Sequence, residues 1–120
     1  MLTPLEAAVI DMALAGDEPS LVTLRAQSRL LRVTSRELTG VGLFTRFELP
    51  ADAPRVDPRP TLHLGGDVVA DIEGLAHGAG FVLWVEDGAI TMLEGFSYGD
   101  AWQPTPDERL TLRRETPQGR

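Results

Sequence analysis

The chain has 120 residues, 42% of them hydrophobic and 24% charged, with no cysteine and a formal net charge of −7. A single domain of this size buries roughly two thirds of the surface its unfolded form exposes, so neither a metal nor a disulfide is needed to hold a core. The missing cysteine excludes disulfides, thiolate metal sites and Cys nucleophiles, and the acidity argues against a nucleic-acid binder, which needs a dense cationic footprint.

The first predicted element is a helix. Thr3-Pro4-Leu5-Glu6 reads as a capping box with proline in the first turn, and Leu5, Ala8, Val9 and Met12 form one apolar stripe behind it. Gly16 supplies the stop, and Asp17-Glu18-Pro19-Ser20 opens a second helix. There Leu21, Leu24, Ser28 and Leu31 share a face. Arg25, Arg29, Arg32 and Arg36 would form a cationic stripe if that helix ran far enough, although a solvated face is the simpler reading.

Period-two patterning begins at Val33. A modest strand is expected over Val33–Leu38 and a better one over Val41–Leu49, with Val41, Leu43, Thr45, Phe47 and Leu49 on one face. Thr39-Gly40 supplies the turn or bulge between them. Residues 50–60 carry four prolines and read as a surface loop. Asp67–Leu75 alternates weakly and ends in the glycine-rich turn Ala76–Gly80.

The strongest local signal follows. Phe81–Glu86 and Ala89–Glu94 flank Asp87-Gly88, a type I′ hairpin turn. A two-residue loop sets Glu86 opposite Ala89, Val85 opposite Ile90, Leu83 opposite Met92 and Phe81 opposite Glu94. Both hairpin faces are largely apolar, which places the hairpin in the middle of a sheet. Arg109–Glu115 reads as a final edge strand. The fold class expected is one α+β domain over residues 1–120: two N-terminal helices packed on a mainly antiparallel sheet of five or six strands, with a central hairpin at 81–96.

All 11 basic residues are arginine, and none lies between Thr61 and Asp100, where Asp67, Asp71, Glu73, Glu86, Asp87, Glu94 and Asp100 give a block of charge −7. Such a block would steer a cationic partner toward it, although solubility alone is the simpler reading. In the expected register Glu94 is the one acid on an apolar hairpin face, and there a carboxylate must be at the rim, hydrogen-bonded or shifted in pKa. The structural alternative is that it accepts amides from the Gly95–Asp100 loop. Tyr98 and Trp102 in the following segment each join an apolar body to a polar handle, a combination favoured at binding surfaces; the structural alternative is a loop folded back over the sheet edge with Trp102 as its plug. Arg46 and His77 complete the candidate set for ligand or partner binding: Glu94, Tyr98, Trp102, Arg46 and His77. No catalytic residue stands out, since there is no nucleophile elbow, Walker loop or Rossmann glycine pattern. His63 and His77 have no ligand spacing, so no metal and no cofactor are expected.

Two sets of residues carry a resemblance. Arg36-Glu37-x-Thr39-Gly40-x-Gly42 precedes Phe44-Thr45-x-Phe47. Later, Gly78-x-Gly80-Phe81 runs through Asp87-Gly88 to Leu93-Glu94-Gly95-x-x-Tyr98-Gly99-Asp100-x-Trp102. Over roughly residues 1–102 the chain resembles a group of small uncharacterised bacterial proteins with no assigned activity. The resemblance implies bacterial origin and a compact α+β domain, and it carries over no catalytic residue.

For function, these readings favour a non-enzymatic binding or protein-interaction domain with a basic protein partner. A homodimer through a sheet face and a small-molecule or catalytic pocket around Glu94 are the alternatives. No apolar run approaches the roughly 20 residues of a membrane span. The first six residues lack the basic and apolar regions of a signal peptide, and the absence of cysteine makes a reducing cytoplasm the expected location, with no nucleic-acid or membrane partner.

Overall fold

The computed structural model describes residues 1–105 and 109–115. Two helices, α1 (Pro4–Ala13) and α2 (Pro19–Ser28), precede seven strands: β1 (Arg32–Leu38), β2 (Gly42–Glu48), β3 (Leu62–Leu64), β4 (Val68–Ile72), β5 (Ala79–Glu86), β6 (Ala89–Ser97) and β7 (Leu110–Arg114). Every named strand pairing is antiparallel. The order is β1-β2-β6-β5-β4-β7, with β3 beside β5. The hairpin therefore lies at the centre, as its two apolar faces require. The sheet has one strand more than the upper expectation. The extra is the three-residue β3, placed just after the proline-rich loop and too short to show a pattern of its own.

Helix α1 begins where the capping box places it. The Glu6 amide donates to the Thr3 hydroxyl (3.2 Å) and the Thr3 amide donates to the Glu6 carboxylate (2.9 Å). Its buried face, Leu5, Val9 and Ile10, is followed by Leu14 at the C-cap. Helix α2 contributes Leu24 and the fully buried Gln27. Both helices lie on one face of the sheet, where they meet Leu43, Phe47, Val68, Ala70, Phe81, Leu83, Val85, Ile90 and Leu93 in a single apolar cluster. Cα extents of 41 × 38 × 19 Å describe a slab one helix layer and one sheet deep.

The hairpin turn itself is as expected, with Asp87 and Gly88 at φ 52° and 75°. Beyond two residue pairs, however, its register is not. Val85 pairs with Ile90, but Trp84 pairs with Met92, Leu83 with Leu93, Val82 with Glu94 and Phe81 with Gly95. Thr91 is the extra residue of a β-bulge. A bulge reverses the facing of everything that follows it on its strand. Here it lets Ile90 and Leu93 both point into the core, each 1% exposed, and turns Met92, Glu94 and Phe96 to the opposite face. The expectation that Glu94 faces Phe81 is corrected accordingly. An inward Glu94 would have put a carboxylate among Phe81, Leu83 and the helices, and the bulge avoids that.

The four arginines do not form a stripe. Helix α2 ends at Ser28, so Arg32 and Arg36 stand on β1. Arg25 donates instead to the carbonyls of Leu14 (2.6 Å), the C-cap of α1, and of Gly16 (2.8 Å) in the turn that follows.

Candidate functional site

The face of the sheet turned away from the helices is read from the register. From β2 to β5 it presents Phe44 and Arg46, then Met92, Glu94 and Phe96, then Gly80, Val82 and Trp84. His63 stands beside Trp84 on β3, with ring centroids 4.2 Å apart. Phe44, Val82, Trp84, Met92, Glu94 and Phe96 are all half-buried, although both helices lie on the other face. Long side chains at cross-strand spacing, about 5 Å between neighbours, shade one another in this way.

Glu94 is at the centre of this apolar field. It pairs with Phe44 on one side and Val82 on the other, and Met92 and Phe96 flank it along its own strand. Its side chain makes no hydrogen bond or ion pair with any described residue. It does not hold the Gly95–Asp100 loop. That segment is secured by the Ser97 amide to the Val41 carbonyl (2.8 Å), the Trp102 amide to the Gly40 carbonyl (2.9 Å), the Ala76 amide to the Asp100 carboxylate (2.9 Å) and the Ser97 hydroxyl to the Asp100 carbonyl.

The arginines of this face are matched by acids. Arg46 reaches Glu37 at 4.0 Å, Arg32 pairs with Glu48, and Arg113 donates to Asp71 at 2.9 Å and Glu115 at 3.2 Å. Glu94 is thus the acid that the face leaves unmatched among them.

At the β4–β7 end the face dips into an open concavity of about 530 Å³ between Asp71, Arg113 and Glu115 on one side and His77 and Tyr98 on the other. Tyr98 is 55% exposed and meets Phe96 edge-on at 5.6 Å. Both rings lie directly over Gly80: a Cβ there would stand 2.6 Å from the Tyr98 hydroxyl and 2.8 Å from the Phe96 ring. The glycine is what allows two aromatic side chains to pack against a central strand.

The structure therefore brings Glu94, Arg46, Tyr98 and His77 onto one face and separates Trp102 from them. Trp102 is 4% exposed, on the helix side, edge-on to Phe81 with ring centroids 6.4 Å apart. It bridges Val41 and closes the sheet edge behind the Thr39–Gly42 turn.

On the helix side lies a polar cluster that sequence reasoning reached only in part. Glu6 is fully buried. Beyond the Thr3 amide it accepts from Arg36 Nη2 (2.7 Å) and Nε (2.8 Å) and from the Thr45 hydroxyl (2.5 Å). Burial pushes its pKa up, but the hydrogen bonds from Arg36, Thr45 and Thr3, with the guanidinium charge, outweigh that and leave it below the usual carboxylate value. Arg36 is raised in turn, chiefly by its bonds to Glu6. With both partners committed to one another, the cluster fixes β1 to α1. The apolar concavity beside it, about 210 Å³ between Leu5, Leu38, Leu43 and Pro104, is reached by no other described charged side chain.

Comparison with family models, with curated proteins and with solved structures finds no match. Among the described residues no helix is long and apolar enough to cross a membrane, and no group of three or more His, Asp or Glu side chains could hold a metal ion.

Proposed function

We propose that this chain is a non-enzymatic, bacterial, cytoplasmic interaction domain that docks a basic protein partner on the open face of its sheet. The observation that carries the reading is the apolar field of Phe44, Val82, Trp84, Met92 and Phe96 around Glu94, opposite the face the helices cover. A contiguous apolar patch with a polar rim is the usual mark of a docking surface. Charge selects the kind of partner. The 61–100 block holds seven acids and no arginine, so a basic surface is steered toward it. A symmetric pair of copies centred on the patch would set Glu94 beside Glu94, which disfavours self-association there. The bacterial assignment rests on the motif resemblance, and the cytoplasmic one on the absence of cysteine.

A small-molecule site built around Glu94 has less support. Tyr98 and His77 line the concavity at the β4–β7 end, Trp102 lies on the other face, and the sequence holds no nucleophile–base spacing.

The test is selection from a random peptide library displayed on phage, panned on the wild-type chain and counter-panned on a Phe44→Thr, Val82→Thr double variant. Threonine keeps the β-branched preference for strand while removing the apolar surface. Peptides rich in Arg or Lys that bind the double variant at least ~10-fold more weakly are expected, a loss of about 1.4 kcal/mol. Peptides that bind both proteins equally would place recognition elsewhere. A wild-type dimer in light scattering that the double variant breaks would assign the face to a second copy.

A further inference from the structure

Resting on that reading, we infer that Glu94 is a recognition subsite for one cationic side chain of the partner, and that the side chain it is shaped for is arginine. Three observations converge. Glu94 is the central residue of the open face, with Phe44 and Val82 as its cross-strand neighbours and Met92 and Phe96 two residues either way along β6. It has no hydrogen-bond or ion-pair partner among the described residues, whereas Arg32, Arg46 and Arg113 of the same face each have an acid. The neighbours are two aromatic rings, a valine and a methionine rather than hydrogen-bonding groups.

A carboxylate in such a ring selects among cations. The surrounding side chains exclude water as a partner closes, so the attraction to an incoming charge strengthens while the carboxylate's own hydration is lost. The occupant must therefore lose little hydration itself and must lie against aromatic faces. Guanidinium meets both demands: it is planar, weakly hydrated, stacks on aromatic rings and can bond a carboxylate with two nitrogens at once. An ammonium is compact and strongly hydrated, so lysine fits less well. The subsite also has a built-in competitor. Arg46 pairs with Met92, which makes it a diagonal neighbour of Glu94, yet its guanidinium lies 4.0 Å from Glu37 on the far strand. Removing Arg46 leaves the negative field of Glu94 less screened.

The probe is N-acetyl-arginine amide, titrated into the isotope-labelled chain and followed by backbone amide shifts, with the citrulline and lysine amides as controls. The arginine amide is expected to give saturable shifts at Phe44, Met92, Glu94 and Phe96, with weak affinity suited to one side chain, in the millimolar range. The uncharged citrulline amide should bind at least ~10-fold more weakly and the lysine amide several-fold more weakly. Glu94→Gln should abolish the difference between arginine and citrulline, Glu94→Asp should retain it, and Arg46→Gln should tighten arginine binding. Absence of saturation by about 100 mM, or equal arginine binding to Glu94→Gln with its amide spectrum otherwise intact, would overturn the subsite. That failure is distinct from failure of the docking face, which is decided by whether panned peptides lose affinity for the Phe44→Thr, Val82→Thr variant.

Discussion

Arg36 crosses from the outermost strand β1 to the first turn of α1 and grips the Glu6 carboxylate with Nη2 at 2.7 Å and Nε at 2.8 Å. Edge strands are weakly held by backbone pairing alone, and this contact ties one to the helix layer. The two partners differ in burial, Glu6 at 0% and Arg36 at 33% side-chain exposure, so their removal is not equivalent. Arg36→Ala leaves a fully buried carboxylate without its counter-charge and is expected to cost roughly 3–5 kcal/mol. Glu6→Gln leaves a cation with access to water and should cost less. Urea denaturation of the two variants checks the order.

The same pair sets an acid limit. The folded pKa of Glu6 lies below its ordinary value of 4.5, so its stabilising contribution is complete above that pH and is lost as pH falls through the folded pKa. The gap in unfolding free energy between wild type and Glu6→Gln should therefore be constant from neutral pH down to about 5 and narrow steadily below it. Paired urea titrations from pH 7 to pH 3 measure it. A gap that widened on acidification would contradict the assignment of the lowered pKa to Glu6.

Gln27 fastens three segments from inside α2. Its Nε2 donates to the carbonyls of Gly88 (2.8 Å) and Pro54 (2.9 Å), and its Oε1 accepts from the Ile90 amide (2.9 Å). The hairpin turn and the proline-rich loop are thereby held together, with help from the Val56 amide to the Gly88 carbonyl. Gln27→Leu leaves the Ile90 amide buried and unpaired, for an expected loss of about 1–3 kcal/mol. Faster hydrogen exchange at Ile90 than at Leu83 in the variant is the local signature.

Two nearby glycines of the Thr39–Gly42 turn should respond very differently to alanine. A Cβ on Gly42 would stand 2.0 Å from the Gly95 carbonyl oxygen, backbone against backbone where the β2–β6 pairing begins. One on Gly40 would meet nothing within 4 Å, leaving only the strain of its φ of 90°. Gly40→Ala is expected to cost about 1–2 kcal/mol. Gly42→Ala should cost clearly more, read as the lower thermal midpoint of the two.

What the sequence made legible followed local rules. The capping box, the Asp87-Gly88 turn and the alternation of Leu43, Thr45 and Phe47 are each set by neighbours a few residues away, and each stands in the fold as expected. The losses came where tertiary packing decided. Thr91 carries no bulge signature; it is extra only because Ile90 and Leu93 both gain by facing inward. Gln27 reads as an ordinary surface residue of an amphipathic helix, since its three backbone partners lie 27 or more residues away. The hairpin pattern singles out Glu94, but on a register without the bulge. The corrected register exchanges a charge against the core for a charge at the centre of the open face. Trp102 reads equally as a binding residue beside Tyr98 or as the plug of the sheet edge; the turn of the chain after Ser97 sends the two to opposite faces and makes it the plug.

The most direct test of the account is the footprint of a bound ligand on the labelled chain. An arginine-containing peptide from the panning, titrated to saturation, is expected to shift the amides of Phe44, Val82 and Met92–Phe96 and to leave those of Leu5–Leu14 unmoved. Shifts confined to the helix layer or to the outer edge of β1, with the Met92–Phe96 amides unchanged, would contradict a partner seated over Glu94.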